Sequence, residues 1–261
     1  MIIRDGTFLM SNTVILTSYF SQKTHPNDPN DKGVVGRGSD GRVWQNSFEY
    51  IKTWYDSIQS LGLDARIFHD DLSDDFVKQY STDKIQFIKI QMSVFSNLDW
   101  RFFCYRNYLN NNYHESVFLT DCSDVKIVKN PGNIIKEYSD TNYFICKDNI
   151  TTRDFNYIKV HSHFKWDNLE WFINHHNNNS LDLLNMGVIG AKYEDMLDFL
   201  DKFCVVRLKM NNPEFAQADM WVGQYIFRHL LSSKKKLIGY PFTSDFKQYQ
   251  NDREDVYFIH K

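Results

Sequence analysis

The sequence contains no run of 18 apolar residues, and its N-terminal segment lacks the long hydrophobic stretch of a signal peptide. No membrane-anchored topology is therefore encoded, and the expectation is a cytoplasmic protein. Cysteine is sparse. Cys104, Cys122, Cys146 and Cys204 lie far apart, within apolar runs or beside an acidic turn and in no Cys-x-x-Cys arrangement, which points to buried free thiols in a reducing compartment. Charge of one sign is missing too: 30 basic residues face 33 acidic ones for a net charge of −3. Only Lys234-Lys235-Lys236 forms a basic run, which a solvated loop accounts for, so there is no electrostatic footprint for nucleic acid. Internal repeats and a domain-separating linker are also absent, and the 261 residues read as one domain.

What the sequence does have is apolar material, 42% hydrophobic with 16% aromatic residues, enough for a sizeable core. Strand and helix patterns alternate along it. Thr13 to Phe20 reads as a first buried strand, followed by a loop from Ser21 to Arg42 rich in Gly, Asp, Asn and Pro. Trp44, Phe48, Ile51, Tyr55, Ile58 and Leu61 recur at helical spacing, and Gly62 stands where a C-terminal cap belongs. Ala65 to His69 is a second strand, Asp74 to Tyr80 a short helix, Ile85 to Ile90 a third strand and Asp99 to Leu109 a helix. This βαβαβ order implies an α/β fold with a mostly parallel central sheet and helices on both faces. Beyond it, Asn142 to Cys146, Ile158 to His163, Leu184 to Gly190, Leu237 to Phe242 and Val256 to His260 read as further strands. Helices are expected from Tyr193 to Phe203 and from Pro213 to His229, the latter opened by Asn211-Asn212-Pro213-Glu214.

Residues Ser116 to Pro131 carry the densest chemical signal. The run Val117-Phe118-Leu119 has the content of a buried strand, so Asp121 and Asp124 fall where that strand runs out, the place at which open α/β sheets bind ligands. Two carboxylates this close repel unless a cation lies between them, and hard oxygen ligands suit Mg²⁺ or Mn²⁺. A strand followed by an Asx-type turn with solvated acids would leave the same pattern.

The segment Thr120 to Pro131 resembles the metal-binding turn of GT-A fold nucleotide-sugar glycosyltransferases. The usual form there is Asp-x-Asp, and some branches carry Thr/Ser-Asp-x-x-Asp-Val followed by Asn-Pro. The resemblance covers most of the chain and implies a single Rossmann-like domain, with a nucleotide-binding half at 1–125 and an acceptor-binding half at 126–261. It implies that Thr17, Ser18 and Tyr19 cradle a nucleotide and that Asp70 meets its base or ribose. By residue pattern alone, Tyr19 would simply end a buried strand and Asp70 would cap a helix. In the segment from Asp99 to Arg106, the resemblance gives Arg101 a phosphate contact, for which a guanidinium fork is well suited. Asn185 and Gly187 of the Asn-x-Gly segment would serve the sugar or acceptor, although glycines in a strand also mark bulges. Asp219 matches the acid that faces the acceptor, a place where a first-turn acid also satisfies the helix dipole. His260 would return from the C-terminal segment to complete the metal site with Asp121 and Asp124, and Lys261 would reach the diphosphate.

The function so implied is transfer of a sugar from a nucleoside-diphosphate sugar to a glycan or other hydroxyl acceptor, assisted by Mn²⁺ or Mg²⁺. Asp219 and Arg101 would be the catalytic groups, and which of Asp121 and Asp124 chelates directly stays open because of the extra residue. A carbohydrate-binding or scaffold protein of the same fold is the second reading. A phosphohydrolase is the third, weakened because Ser123 stands where a second acid is needed. His161, His163, His175 and His176 offer no credible zinc spacing.

Overall fold

The computed structural model describes residues 13–21, 45–152, 174, 180–210 and 218–261. The predicted strand at 158–163, the histidines at 161, 163, 175 and 176 and the expected helix start at 211–217 lie outside them, as does the loop at 22–42. Strand β1 (Thr13–Tyr19) leads to helix α1 (Phe48–Leu61), β2 (Asp64–His69), α2 (Asp74–Tyr80), β3 (Ile85–Lys89), α3 (Asn97–Leu109) and β4 (Ser116–Thr120). After β4 come β5 (Val125–Ile127), α4 (Gly132–Glu137), β6 (Tyr143–Thr151), β7 (Asp182–Lys192), α5 (Tyr193–Leu208) and α6 (Ala218–Tyr225). A π-helical turn, Ile226–Leu230, continues α6, and β8 (Lys236–Ile238) and β9 (Phe258–His260) close the chain.

Seven strands form one sheet in the order β3-β2-β1-β4-β7-β6-β8. All neighbours are parallel except at β7, which runs against both β4 and β6. The fold is therefore α/β with a mostly parallel sheet, as the sequence pattern implies. Side chains alternate between its faces. Val14, Leu16, Val117 and Leu119 pack with Phe102 of α3 and with Phe199 and Phe203 of α5, whereas Ile15 and Phe118 join Ile51, Trp54 and Ile58 of α1 on the other face.

Local signals account for the helix ends. Gly62 takes a left-handed φ of 62° and the Leu63 N–H returns to the Ile58 carbonyl at 3.1 Å, satisfying the end of α1. Ser73 accepts from the Phe76 N–H to start α2, so Asp70 is not the cap. Ser96 accepts from the Asp99 N–H, which moves the start of α3 two residues ahead of the expected Asp99.

Several elements differ from the sequence reading. Strand β7 spans eleven residues rather than only Leu184 to Gly190. The stretch Leu237 to Phe242 contributes only the end of β8 before Gly239 turns at φ 71°. The apolar run after Asp124 becomes β5, which pairs antiparallel with β9 in a separate two-stranded sheet. That small sheet brings the C-terminus to the edge where β4 ends. There the Trp54 indole N–H donates to Thr120 Oγ1 and Thr17 Oγ1 donates to the Thr120 carbonyl, both at 2.8 Å, so the turn after β4 starts from a fixed point. Among the described residues no helix is long and apolar enough to cross a membrane.

Candidate metal centre

Asp121 and Asp124 stand on the turn between β4 and β5, and His260 ends β9. Register joins them. Val125 pairs with His260 across the β5–β9 ladder, and the Lys261 N–H donates to the Asp124 carbonyl at 2.9 Å. On the other side the Asp121 N–H donates to the Gly187 carbonyl of β7 at 2.8 Å. One ligand atom from each of Asp121, Asp124 and His260 lies within 4.8 Å of the others, the only such grouping of three His, Cys, Asp or Glu side chains among the described residues. His260 Nε2 is 3.8 Å from Asp121 Oδ2 and 3.7 Å from Asp124 Oδ1, too far for direct hydrogen bonds.

Charge makes this grouping informative. Two like unit charges 4 Å apart at an effective dielectric near 20 repel by about 4 kcal/mol. Arg101 offsets part of this, since its Nη1 donates to Asp121 Oδ1 and leaves Oδ2 facing the histidine. A divalent cation held by two carboxylates and an imidazole suits Mg²⁺ or Mn²⁺ chemistry. Gly187 gives a second indication of fit. A Cβ built there would come within 2.3 Å of His260 Cε1, 2.7 Å of Asp121 Oδ2 and 2.9 Å of Asn185 Oδ1, so the glycine keeps the floor of the cluster clear. Asn185 Oδ1 in turn accepts from the Gly187 N–H at 2.8 Å.

Of the expected site residues, the structure therefore brings Asp121, Asp124, His260, Asn185 and Gly187 together, with Arg101 behind them and the Lys261 backbone beside Asp124. Others go elsewhere. Thr17 is fully buried on the Thr120 carbonyl, and Tyr19 is fully buried, its hydroxyl bonded to the Ser47 backbone and its ring against Tyr50 and Phe76. Both are core residues rather than nucleotide contacts, because the strand that carries them is covered by α1 and α2. Ser18, which is half-buried, uses its carbonyl to accept from Cys122 Sγ at 3.1 Å. Asp70 is buried too. It ties β2 to the segment after β1, accepting from the Ser21 N–H and hydroxyl and from the Asp71 N–H, in place of a base or ribose contact.

Arg101 and Asp219 also lie deeper than expected. The Arg101 side chain is 6% exposed and donates to Asp121, to Asp219 Oδ2 at 3.1 Å and to the Leu98 carbonyl at 3.0 Å. The adjacent acids hold its pKa above the ordinary value against burial. Asp219 is enclosed behind it, and burial, opposed by Arg101, pushes its carboxyl up to about 7. Neither side chain faces solvent. Both position Asp121 instead. Arg106, by contrast, forms an exposed ion pair with Asp201.

Sequence reasoning missed three neighbours of the cluster. Cys146 Sγ lies 3.4 Å from His260 Nδ1, Ser244 Oγ accepts from the His260 N–H at 2.9 Å, and the Phe246 ring packs 4.3 Å from the imidazole. Asp148 was missed as well. Burial raises its pKa, while the Asn149 N–H, Lys247, the Asn185 amide and His260 oppose the rise. No local motif marks any of them: Cys146 and Asp148 lie on β6, and Ser244 and Phe246 on the segment between β8 and β9, far from His260 in the sequence. Neither a scan against protein-family models nor a search of curated proteins matched this sequence.

Proposed function

We propose that this protein is a GT-A fold, metal-dependent glycosyltransferase that takes a nucleoside-diphosphate sugar as donor and a glycan or other hydroxyl compound as acceptor. The observation that carries the reading is the convergence of Asp121, Asp124 and His260 at the carboxyl end of β4, the edge at which open α/β sheets bind ligands. The strand motif from Thr120 to Pro131 and the return of the C-terminal strand to that motif support it. Asp121, Asp124 and His260 would hold the ion. When bound, Mn²⁺ or Mg²⁺ supplies Lewis-acid charge stabilisation for a departing nucleoside diphosphate.

The remaining chemistry falls to the chain's own groups. Arg101 fixes Asp121 by taking one carboxylate oxygen, so that the other keeps its direction toward the cluster. Asp219 balances the Arg101 charge in the interior, which makes it a positioning residue rather than the base of an inverting reaction. Asn185 and Gly187 hold β7 against the cluster, Asn185 Oδ1 taking the Gly187 N–H and the Gly187 carbonyl taking the Asp121 N–H. Lys261 is at hand for the diphosphate.

Calorimetry of nucleoside diphosphates with and without Mn²⁺ tests the proposal. Binding is expected with the ion and lost on adding excess chelator. Affinity that ignores the chelator would remove the metal from the function.

A further inference from the structure

We propose that Cys146 is the positioning residue of the metal-binding histidine: its sulfur accepts the His260 Nδ1–H and so presents the Nε2 lone pair to an ion held by Asp121 and Asp124. This rests on the metal reading above. A neutral imidazole has one N–H and one lone pair, and a metal ligand needs the lone pair on the nitrogen that faces the ion. With an ion held by Asp121, Asp124 and His260 Nε2, the proton of the neutral ring belongs on Nδ1 and requires an acceptor in a pocket where the whole residue is 1% exposed. Cys146 Sγ is 3.4 Å from Nδ1 and also 3.5 Å from the Lys147 carbonyl. With the thiol hydrogen directed to that carbonyl, the sulfur lone pairs are available to Nδ1.

The sheet places the thiol there for an identifiable reason. Ile145 of β6 pairs with Ile189, but Cys146 pairs with Asn185, so residues 186–188 of β7 bulge out of the β6 ladder. The bulge carries Gly187 to Asp121, and it lets Cys146 and Asn185 sit as cross-strand neighbours beneath the imidazole. The ring is then held on one side by Phe246 and on the other by the open face of Gly187. Cys146 fixes its remaining rotation and its tautomer. Outer partners of this kind usually come as carboxylates or carbonyls, and their loss weakens metal binding 10- to 100-fold.

Two measurements test the assignment. Long-range ¹H–¹⁵N correlation on the full chain loaded with Mg²⁺ alone reads the tautomer directly and should show the His260 proton on Nδ1. Calorimetry with Mn²⁺ alone should then show Cys146→Ala weakened by about 10- to 100-fold. Cys146→Ser, which keeps an acceptor, should recover most of the loss while thermal unfolding stays near that of the wild type. A purely structural role would move unfolding and leave the tautomer unchanged. A wild-type His260 protonated on Nε2, or a Cys146→Ala protein that binds Mn²⁺ like the wild type, overturns the role of the cysteine. A wild-type protein that binds no divalent ion overturns the metal reading itself, and the two failures are distinguishable.

Discussion

Gly187→Ala tests the geometry of the cluster with a single methyl group. The added Cβ would lie 2.3 Å from His260 Cε1, 2.7 Å from Asp121 Oδ2 and 2.9 Å from Asn185 Oδ1. None of these three atoms is free to swing away. The imidazole is held by Cys146, Phe246 and the β9 backbone, Asp121 by Arg101, and Asn185 by the Gly187 N–H. The substitution must therefore displace a ligand or shift β7, and overpacking of this type costs about 1–3 kcal/mol. For a chain of this size each kcal/mol lowers Tm by about 2–4 °C. Gly62→Ala is the control. Its φ of 62° strains a Cβ by about 1–2 kcal/mol, but nothing lies within 4 Å of the added atom. Differential scanning calorimetry should thus show both variants destabilised, whereas Mn²⁺ titration should show a loss of affinity for Gly187→Ala alone. A Gly187→Ala protein with wild-type Tm and Mn²⁺ affinity would refute the reasoning.

Three further outcomes are expected. Asp124→Ala should weaken Mn²⁺ binding more than Asp121→Ala, because Asp121 shares its carboxylate with Arg101; the reverse order in calorimetry would mean that Asp121 carries the ion. His260→Ala should depress Mn²⁺ affinity and transfer activity together while β9 stays paired with β5, and it is a cleaner test than deleting His260 and Lys261, which also removes the backbone bonds to Ser244 and Asp124. Wild-type transfer by that variant would return His260 to a structural role. For Asp219 the folded pKa of about 7 lies above the ordinary carboxylate value of about 4, so the folded state binds more protons in between and this group makes stability fall as pH rises from about 4 to 7. Urea unfolding of metal-free Asp219→Asn should lack that fall, and an unchanged pH slope would mean that another group carries it.

How much could be read in advance depended on the range of each signal. Helix α1 was legible because its apolar spacing and Gly62 act within a few residues, and the parallel core was legible because βαβαβ alternation leaves few other arrangements. The depth of polar side chains was not. Thr17, Tyr19 and Asp70 carry chemistry that suits a nucleotide site, yet each finds its hydrogen bonds inside the protein once α1 and the segment after β1 are in place. Arg101 and Asp219 follow the same rule. An arginine in a helix next to an acidic strand end can point either way, and the packing of α3 against α5 and α6 turns this one inward.

By itself the sequence determined the alternation of elements, the strand that ends at Asp121, and the pair of acids on the turn after it, because period and turn chemistry are local properties. Their meeting with His260 was expected only through the family resemblance, since nothing in the spacing of the acids specifies a histidine at the chain end. Tertiary structure decided that meeting. The β5–β9 ladder aligns His260 with Val125, the β7 bulge brings Gly187 against Asp121, and Cys146 reaches the imidazole only because β6 slips register opposite that bulge. Each is a pairing between distant segments whose free energy comes from burying both partners at once, so neither segment carries it alone.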